Sequence, residues 1–267
     1  MSNNNNIGQY RHLAFAAVGG FFAGYAILCR SGLLANAQTM NLLELVMNAL
    51  RGDVAAVLLH IGALVLYVTG TMLTVLLPHY LKVDMQRAVP FVDALACIIL
   101  CFIPADANPM LGLYPIFFAM SIQWSSFSGA KGYTSSTIFS TNNVKQASLA
   151  FASYITDGDR KHIDKLLFYV FTILAFSLGS AVSFIAVLFM GTKGAWVNII
   201  LIVNAYYMVV CEEGYKLAEL KDHAKSNSHV NSIIITPARQ CGSDCINNRL
   251  LCSPVSFVAT LKSGKDT

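Results

Sequence analysis

From Leu166 to Met190 the chain runs without one charged side chain, and between Val54 and Leu77 the only group that titrates near neutrality is His60. A helix crosses a bilayer with about 20 mostly apolar residues, so both stretches are long enough to span, with tilt to spare. Four more approach that length: Leu13–Cys29, Val89–Ile103, Met110–Ser126 and Ala195–Cys211. The link between the third and fourth stretches, Pro104 to Pro109, reads as a tight turn. In lipid every backbone group must be satisfied inside the protein, which leaves helices or closed barrels. Runs this long and continuous predict an all-α polytopic membrane protein with six transmembrane helices.

Composition agrees. The chain is 55% hydrophobic and 12% charged, where soluble domains carry roughly a quarter charged residues. Its net charge of +4 includes no basic run interleaved with aromatics, which argues against nucleic acid as a partner. Cys29, Cys97, Cys101 and Cys211 lie in or beside apolar stretches and act as small hydrophobes.

Charge placement sets orientation. With a cytoplasmic N-terminus, ten Lys and Arg residues fall on the cytoplasmic side (among them Arg11, Lys82, Arg160, Lys161 and Lys165) and three on the other, Arg30, Arg51 and Lys193. This favours both termini inside. Residues 1–10 read as disordered, 11–220 as the membrane domain, and 221–267 as a mostly disordered cytoplasmic tail. Cys241, Cys245 and Cys252 in that tail lack an evident fourth ligand beyond His229, so they read as free thiols and no metal is expected.

The chain also repeats itself. Laid without gaps over Ala119–Asn143, Ala17–Asn41 pairs Thr39 with Thr141, Asn41 with Asn143, Phe22 with Trp124 and Tyr25 with Phe127. Each copy continues through an amphipathic stretch to a Gly-Asp pair, Gly52-Asp53 and Gly158-Asp159. A long span and a shorter one follow. Each half, 11–104 and 109–215, holds three spans, an odd number, so the halves enter the membrane in opposite senses. Inverted repeats of this kind bind solutes where the halves meet, at helices broken within the membrane. The triplet Ala35-Asn36-Ala37 imitates a signal-peptidase site. The repeat argues against cleavage there, because the first span resembles the fourth.

Thr39 and Thr141 are placed to cap the two amphipathic helices, whose exposed N–H groups and dipoles would favour an anion or carbonyl. Caps on helices lying at the membrane surface remain the open alternative. On the first reading Gln38, Thr39, Asn41, Gln123, Trp124, Thr141 and Asn143 line a central substrate site. Trp124 has a second reading as an interfacial anchor. Asp93 is a candidate ion or proton group, or else a cap of its span's first turn. His60 is a second such candidate, or else an interhelical hydrogen-bond partner. Ala175, Gly179 and Ser183, four apart, form a packing face.

The stretch "GGFFAGYAILCRSGLLANAQTMNLLELVMNALRGD" resembles the N-terminal half of the YoaK-like family of bacterial integral membrane proteins, with its Gly-rich first span and "Q-T-G-N" motif. "AMSIQWSSFSGAKGYTSSTIFSTNN" resembles that family's second signature. The likeness covers about residues 10 to 215. It implies a multi-pass protein of the bacterial inner (cytoplasmic) membrane, a domain of unknown function with no established substrate. The chain departs from the pattern at Met40 and Asn142, which replace the motif glycines, at Ala23, which replaces an acid, and at Trp124, which replaces an Asn.

No hydrolase, zinc-protease or nucleotide-binding motif is present, so an enzyme is not expected and no cofactor is implied. The leading reading is a secondary transporter or permease for a small solute, with the lipid bilayer as the other partner and homo-oligomerisation left open. The alternative is a non-transporting scaffold, sensor or partner subunit.

Overall fold

The computed structural model describes residues 2–36 and 38–235. One compact unit ends at Ala218. Of the unit that follows, only the helical stretch to Ile235 is described, and Cys241, Cys245 and Cys252 lie outside the described residues. The elements are α1 Ser2–Cys29, α2 Gln38–Arg51, α3 Val54–Leu81, α4 Met85–Phe102, α5 Pro109–Ser126, a hairpin of β1 Gly129–Ala130 and β2 Tyr133–Thr134, α6 Thr141–Asp157, α7 Arg160–Met190, a 3-10 stretch Gly191–Val197, and α8 Asn198–Ile235.

Four helical stretches are long and apolar enough to cross a membrane: Asn6–Cys29, Val54–Leu81, Met85–Phe102 and Arg160–Lys221. The last covers α7 and α8, the expected spans Leu166–Met190 and Ala195–Cys211, across the 3-10 stretch, where Gly191 ends α7 at φ +56° and Gly194 lies against the Ala186 backbone. Helix α5 is not among the four, since Pro109, Pro115 and Gln123 lower its hydropathy. The outer surface is greasy: Val75, Leu178, Phe189 and Ile200 are between 66 and 80% exposed. An apolar surface this extensive is foreign to soluble monomers and consistent with a membrane protein.

Helix α1 is the central post. Phe15, Phe21, Phe22 and Tyr25 are fully buried along it, as expected of a helix apolar on every side. Its helical stretch begins at Ser2.

Helices α1 and α7 run the same way: His12 stacks on Phe168 towards their starts, and Gly24 meets Ser183 towards their ends. A Cβ on Gly20 would strike the Phe176 carbonyl, and one on Gly179 the Ala17 carbonyl. The glycines therefore set the approach of the two backbones. Helices α3 and α5 are also parallel, with the Tyr114 hydroxyl donating to Leu59 O (2.8 Å) and Gly70 seated against Ser121.

The two Gly-Asp pairs have one explanation. Gly52 and Gly158 take left-handed conformations, φ +77° and +69°, that end the preceding helix. Asp53 and Asp159 then cap the next one, accepting from Ala56 N (3.0 Å) and Lys161 N (2.9 Å).

Candidate functional site

After α1 the chain doubles back. Fully buried Asn36 donates through Nδ2 to Gly19 O (2.8 Å) and Ile138 O (2.9 Å). Gly19 lies ten residues before Cys29, so at 1.5 Å per residue the loop has returned by about 15 Å along α1. Helix α2 starts there, at Gln38. The chain after α5 reaches the same level of α1: Gln123 Nε2 donates to Phe15 O (3.1 Å) and Thr137 Oγ1 (3.0 Å). Helix α6 starts shortly after, at Thr141. Asn36 thus ties the two returning loops to each other through the Ile138 carbonyl.

Both helix starts border one cavity of about 710 Å³, lined by Gln38, Thr39, Tyr67, Trp124, Phe139 and Thr141, with Leu34, Met40, Leu42 and Leu43. Trp124 stands nearly edge-on to Phe139, centroids 5.0 Å apart. None of these side chains is charged. Gln38, Thr39 and Thr141 thus set an amide and two hydroxyls against aromatic and aliphatic walls. Neither threonine is a cap. Helix α2 already begins at Gln38, and the residue before α6 is Ser140, whose side chain makes no capping bond. The threonines instead sit in the first turns.

The other candidates are placed elsewhere. Buried Asn41 donates to Gln38 Oε1 (2.8 Å) and His60 O (3.1 Å), and its Oδ1 lies 2.8 Å from His60 Nδ1. With the amide nitrogen committed to two acceptors, Oδ1 accepts and His60 carries its proton on Nδ1. His60 is therefore the interhelical partner, anchoring α2 to α3. Asn143 accepts from Ser135 Oγ (2.9 Å) and Ser136 N (3.3 Å) and donates to Ser136 O (2.8 Å). Because the Ser135 hydroxyl spends its proton on Asn143, His12 Nε2 (2.9 Å away) donates to Ser135 Oγ. Asn41, Gln123 and Asn143 are not among the residues that line this cavity; Asn41 and Asn143 bond to neighbouring side chains and backbone, and Gln123 Oε1 is buried without a hydrogen-bond partner.

Asp93 is fully buried eight residues into α4, away from the cavity, and neither carboxylate oxygen has a partner. It does not cap its helix. Asp84 does, accepting from Gln86 N (2.9 Å).

Sequence reasoning missed several working residues. His12, Asn36, Ser135 and Thr137 hold the loops, and Tyr67 and Phe139 wall the cavity. Arg30, read as a loop charge, is buried and donates to Pro104 O (2.9 Å) at the end of α4. Arg11, counted as a cytoplasmic marker, is buried in an ion pair with Glu212 (2.6 Å).

Comparison with curated proteins and with solved structures gave no match. The family model described as "Protein of unknown function (DUF1275)" matches residues 12–208. This range contains both returning loops, both helix starts and Asp93, and the chain belongs to that DUF1275 family.

Proposed function

We propose that this chain is a YoaK-like secondary transporter or permease for a small solute, held in a bacterial inner membrane with both termini cytoplasmic. The observation that carries the reading is the cavity shared by the first turns of α2 and α6. Two helices that start at loops returning along α1 and border one cavity with their first turns resemble the broken helices by which many transporters hold a solute near the bilayer midplane. Helix packing supports two inverted halves of three spans each, with α1, α3 and α4 in one and α5, α7 and α8 in the other. Reciprocal contacts are the mark of a twofold relation. Here α1 of the first half packs on α7 of the second, and α5 of the second packs on α3 of the first. Gln38, Thr39, Trp124 and Thr141 are the residues that meet the solute. Transport by this route needs no chemistry on the solute and no cofactor.

The second reading, a scaffold or partner subunit, draws on the cavity's largely apolar lining and on Met40 and Asn142 at the motif-glycine positions. The test begins with metabolite profiles of cells lacking and overproducing the protein, followed by direct uptake of any compound that changes. Thr39→Ala and Thr141→Ala should each abolish that uptake at unchanged protein level in the membrane. Uptake that survives both changes removes the cavity from the account. A compound-independent null result in wild-type cells favours the scaffold.

A further inference from the structure

Helices α4 and α8 form an antiparallel seam. Cys101 Sγ lies 3.8 Å from Lys193 O at one end, Phe91 meets Tyr206 in the middle, and Arg87 pairs with Glu213 at the other end. Each helix turns an apolar stripe inward: Val89, Ala96 and Leu100 on α4, and Ile202, Ala205 and Val209 on α8. Each stripe is interrupted by one polar side chain that is fully buried, Asp93 on α4 and Asn198 at the start of α8. Neither oxygen of Asp93 has a hydrogen-bond partner, and both heteroatoms of Asn198 also lack nitrogen or oxygen partners. Cys97, one turn on from Asp93, lies beside both, and a thiol is a weak partner.

An ionised carboxylate cannot be held in such a place without a counter-charge, and a buried carboxyl in that position neutralises instead. None of the ion pairs among the described residues includes Asp93. The charged and titratable groups on the surrounding elements are engaged or turned away. Arg87 is paired with Glu213, Arg11 with Glu212, and Tyr114 on α5 with the Leu59 carbonyl. Tyr206 packs on Phe91, Lys193 is exposed, and Cys97 and Cys101 lie on α4 itself.

We propose that Asp93 and Asn198 form a buried proton-binding site on the α4–α8 seam, with Asp93 held as the neutral acid while the seam is closed. Its proton leaves only when the seam opens to water, so proton release is tied to the parting of α4 and α8. The use of the site in transport rests on the reading above, but its existence does not. An intramembrane acid with no structural partner is where a membrane protein would take up a proton, and Asn198 is a second unpartnered polar group beside the same Cys97, able to accept from the acid's O–H once the seam moves.

Infrared spectroscopy of the full-length protein in liposomes tests this, with aspartate carboxyls labelled with carbon-13. The expected result is the C=O band of a protonated aspartic acid at neutral pH, absent from Asp93→Asn and shifted in Asn198→Ala. If neither variant inserts, labelled wild type still decides, because Asp93 is the one buried aspartate among residues 6–221. Finding only ionised aspartate at neutral pH overturns the proposal. So does a protonated band that sodium chloride abolishes, which would make the site one for a metal cation. A protonated Asp93 in a protein without uptake keeps this site and sinks the transport reading, and uptake with an ionised Asp93 does the reverse.

Discussion

The corner that follows α1 and the corner that follows α5 solve one problem by different means. Each must bring non-helical chain back along α1 and start a helix there. Each uses a buried asparagine six residues or fewer into or before its helix and a histidine behind it. In the first corner Asn41 is bound to His60 of α3, the helix that follows α2. In the second, Asn143 is bound to its own incoming loop at Ser135 and Ser136, and the histidine beyond Ser135 is His12 of α1. Tyr169 of α7 adds a bond to Thr134 O (2.8 Å). The second corner is therefore fastened to α1 and α7, whereas the first is fastened to α3, to α1 through Asn36, and to the end of α4 through Arg30. A pairing of Thr39 with Thr141 in sequence hides this difference in anchorage.

The largest expected effect follows from the heavier fastening. Asn143→Ala removes three hydrogen bonds and strands Ser135 and Ser136, a loss of about 2–4 kcal/mol in unfolding free energy measured in detergent. Asn41→Ala also removes three, but one of them goes to Gln38 at a partly exposed helix start, so it should lose less. Equal losses would break the contrast. Next comes Asn36→Ala, which leaves the Gly19 and Ile138 carbonyls without this donor and should lose about 2 kcal/mol. Its sharper readout is exchange of the α2 backbone amides, which should rise while those of α6 stay protected. His12→Ala should loosen α6 and His60→Ala should loosen α2, each by about 1–2 kcal/mol. Hydrogen exchange read helix by helix distinguishes the two.

The smallest effect lies at the helix ends. Helix α2 ends on Arg51, which suits the negative end of a helix dipole, and α6 ends on Asp157, which does not. The Asp157 carboxyl accepts from Asp159 N (3.1 Å) and faces His162 Nε2 at 3.0 Å. The backbone N–H first, with help from His162, holds its pKa below the ordinary carboxylate value. A carboxyl with a lowered folded-state pKa adds stability above its unfolded pKa and loses it as pH falls through the folded one. Acid should therefore loosen the end of α6 slightly and leave the end of α2 unchanged. Asp157→Asn should erase the difference in exchange between acidic and neutral buffer.

What could be read from the sequence follows from range. Apolar length, the Thr39 and Thr141 pairing and the Gly-Asp stops are local patterns, and the structure gives each a place: greasy helices, one shared cavity, a left-handed stop followed by a cap. Asn36 could not be singled out, because its acceptor at Ile138 is a backbone carbonyl 102 residues away, and carbonyls leave no trace in a sequence. Arg30 misled for the same reason, since it satisfies the end of α4 through main-chain oxygens. A polar side chain in an apolar run, such as Asn41, Gln123 or Asn143, signals only that a partner exists and not whether that partner is protein or solute. Asn198 gave no signal at all, standing at the edge of an apolar run beside an ordinary turn.

The central claim is that both corners face one cavity, and proximity of Thr39 to Thr141 tests it most directly. Cysteines placed at both positions, with the native cysteines replaced, would be treated in native membranes with a short bifunctional thiol reagent and the cross-linked peptides identified by mass spectrometry. The account predicts a Thr39–Thr141 bridge within one chain, blocked by prior reaction with a compound that fills the cavity. Labelling of each site alone, with no bridge formed at any reagent length that fits the cavity, would contradict it.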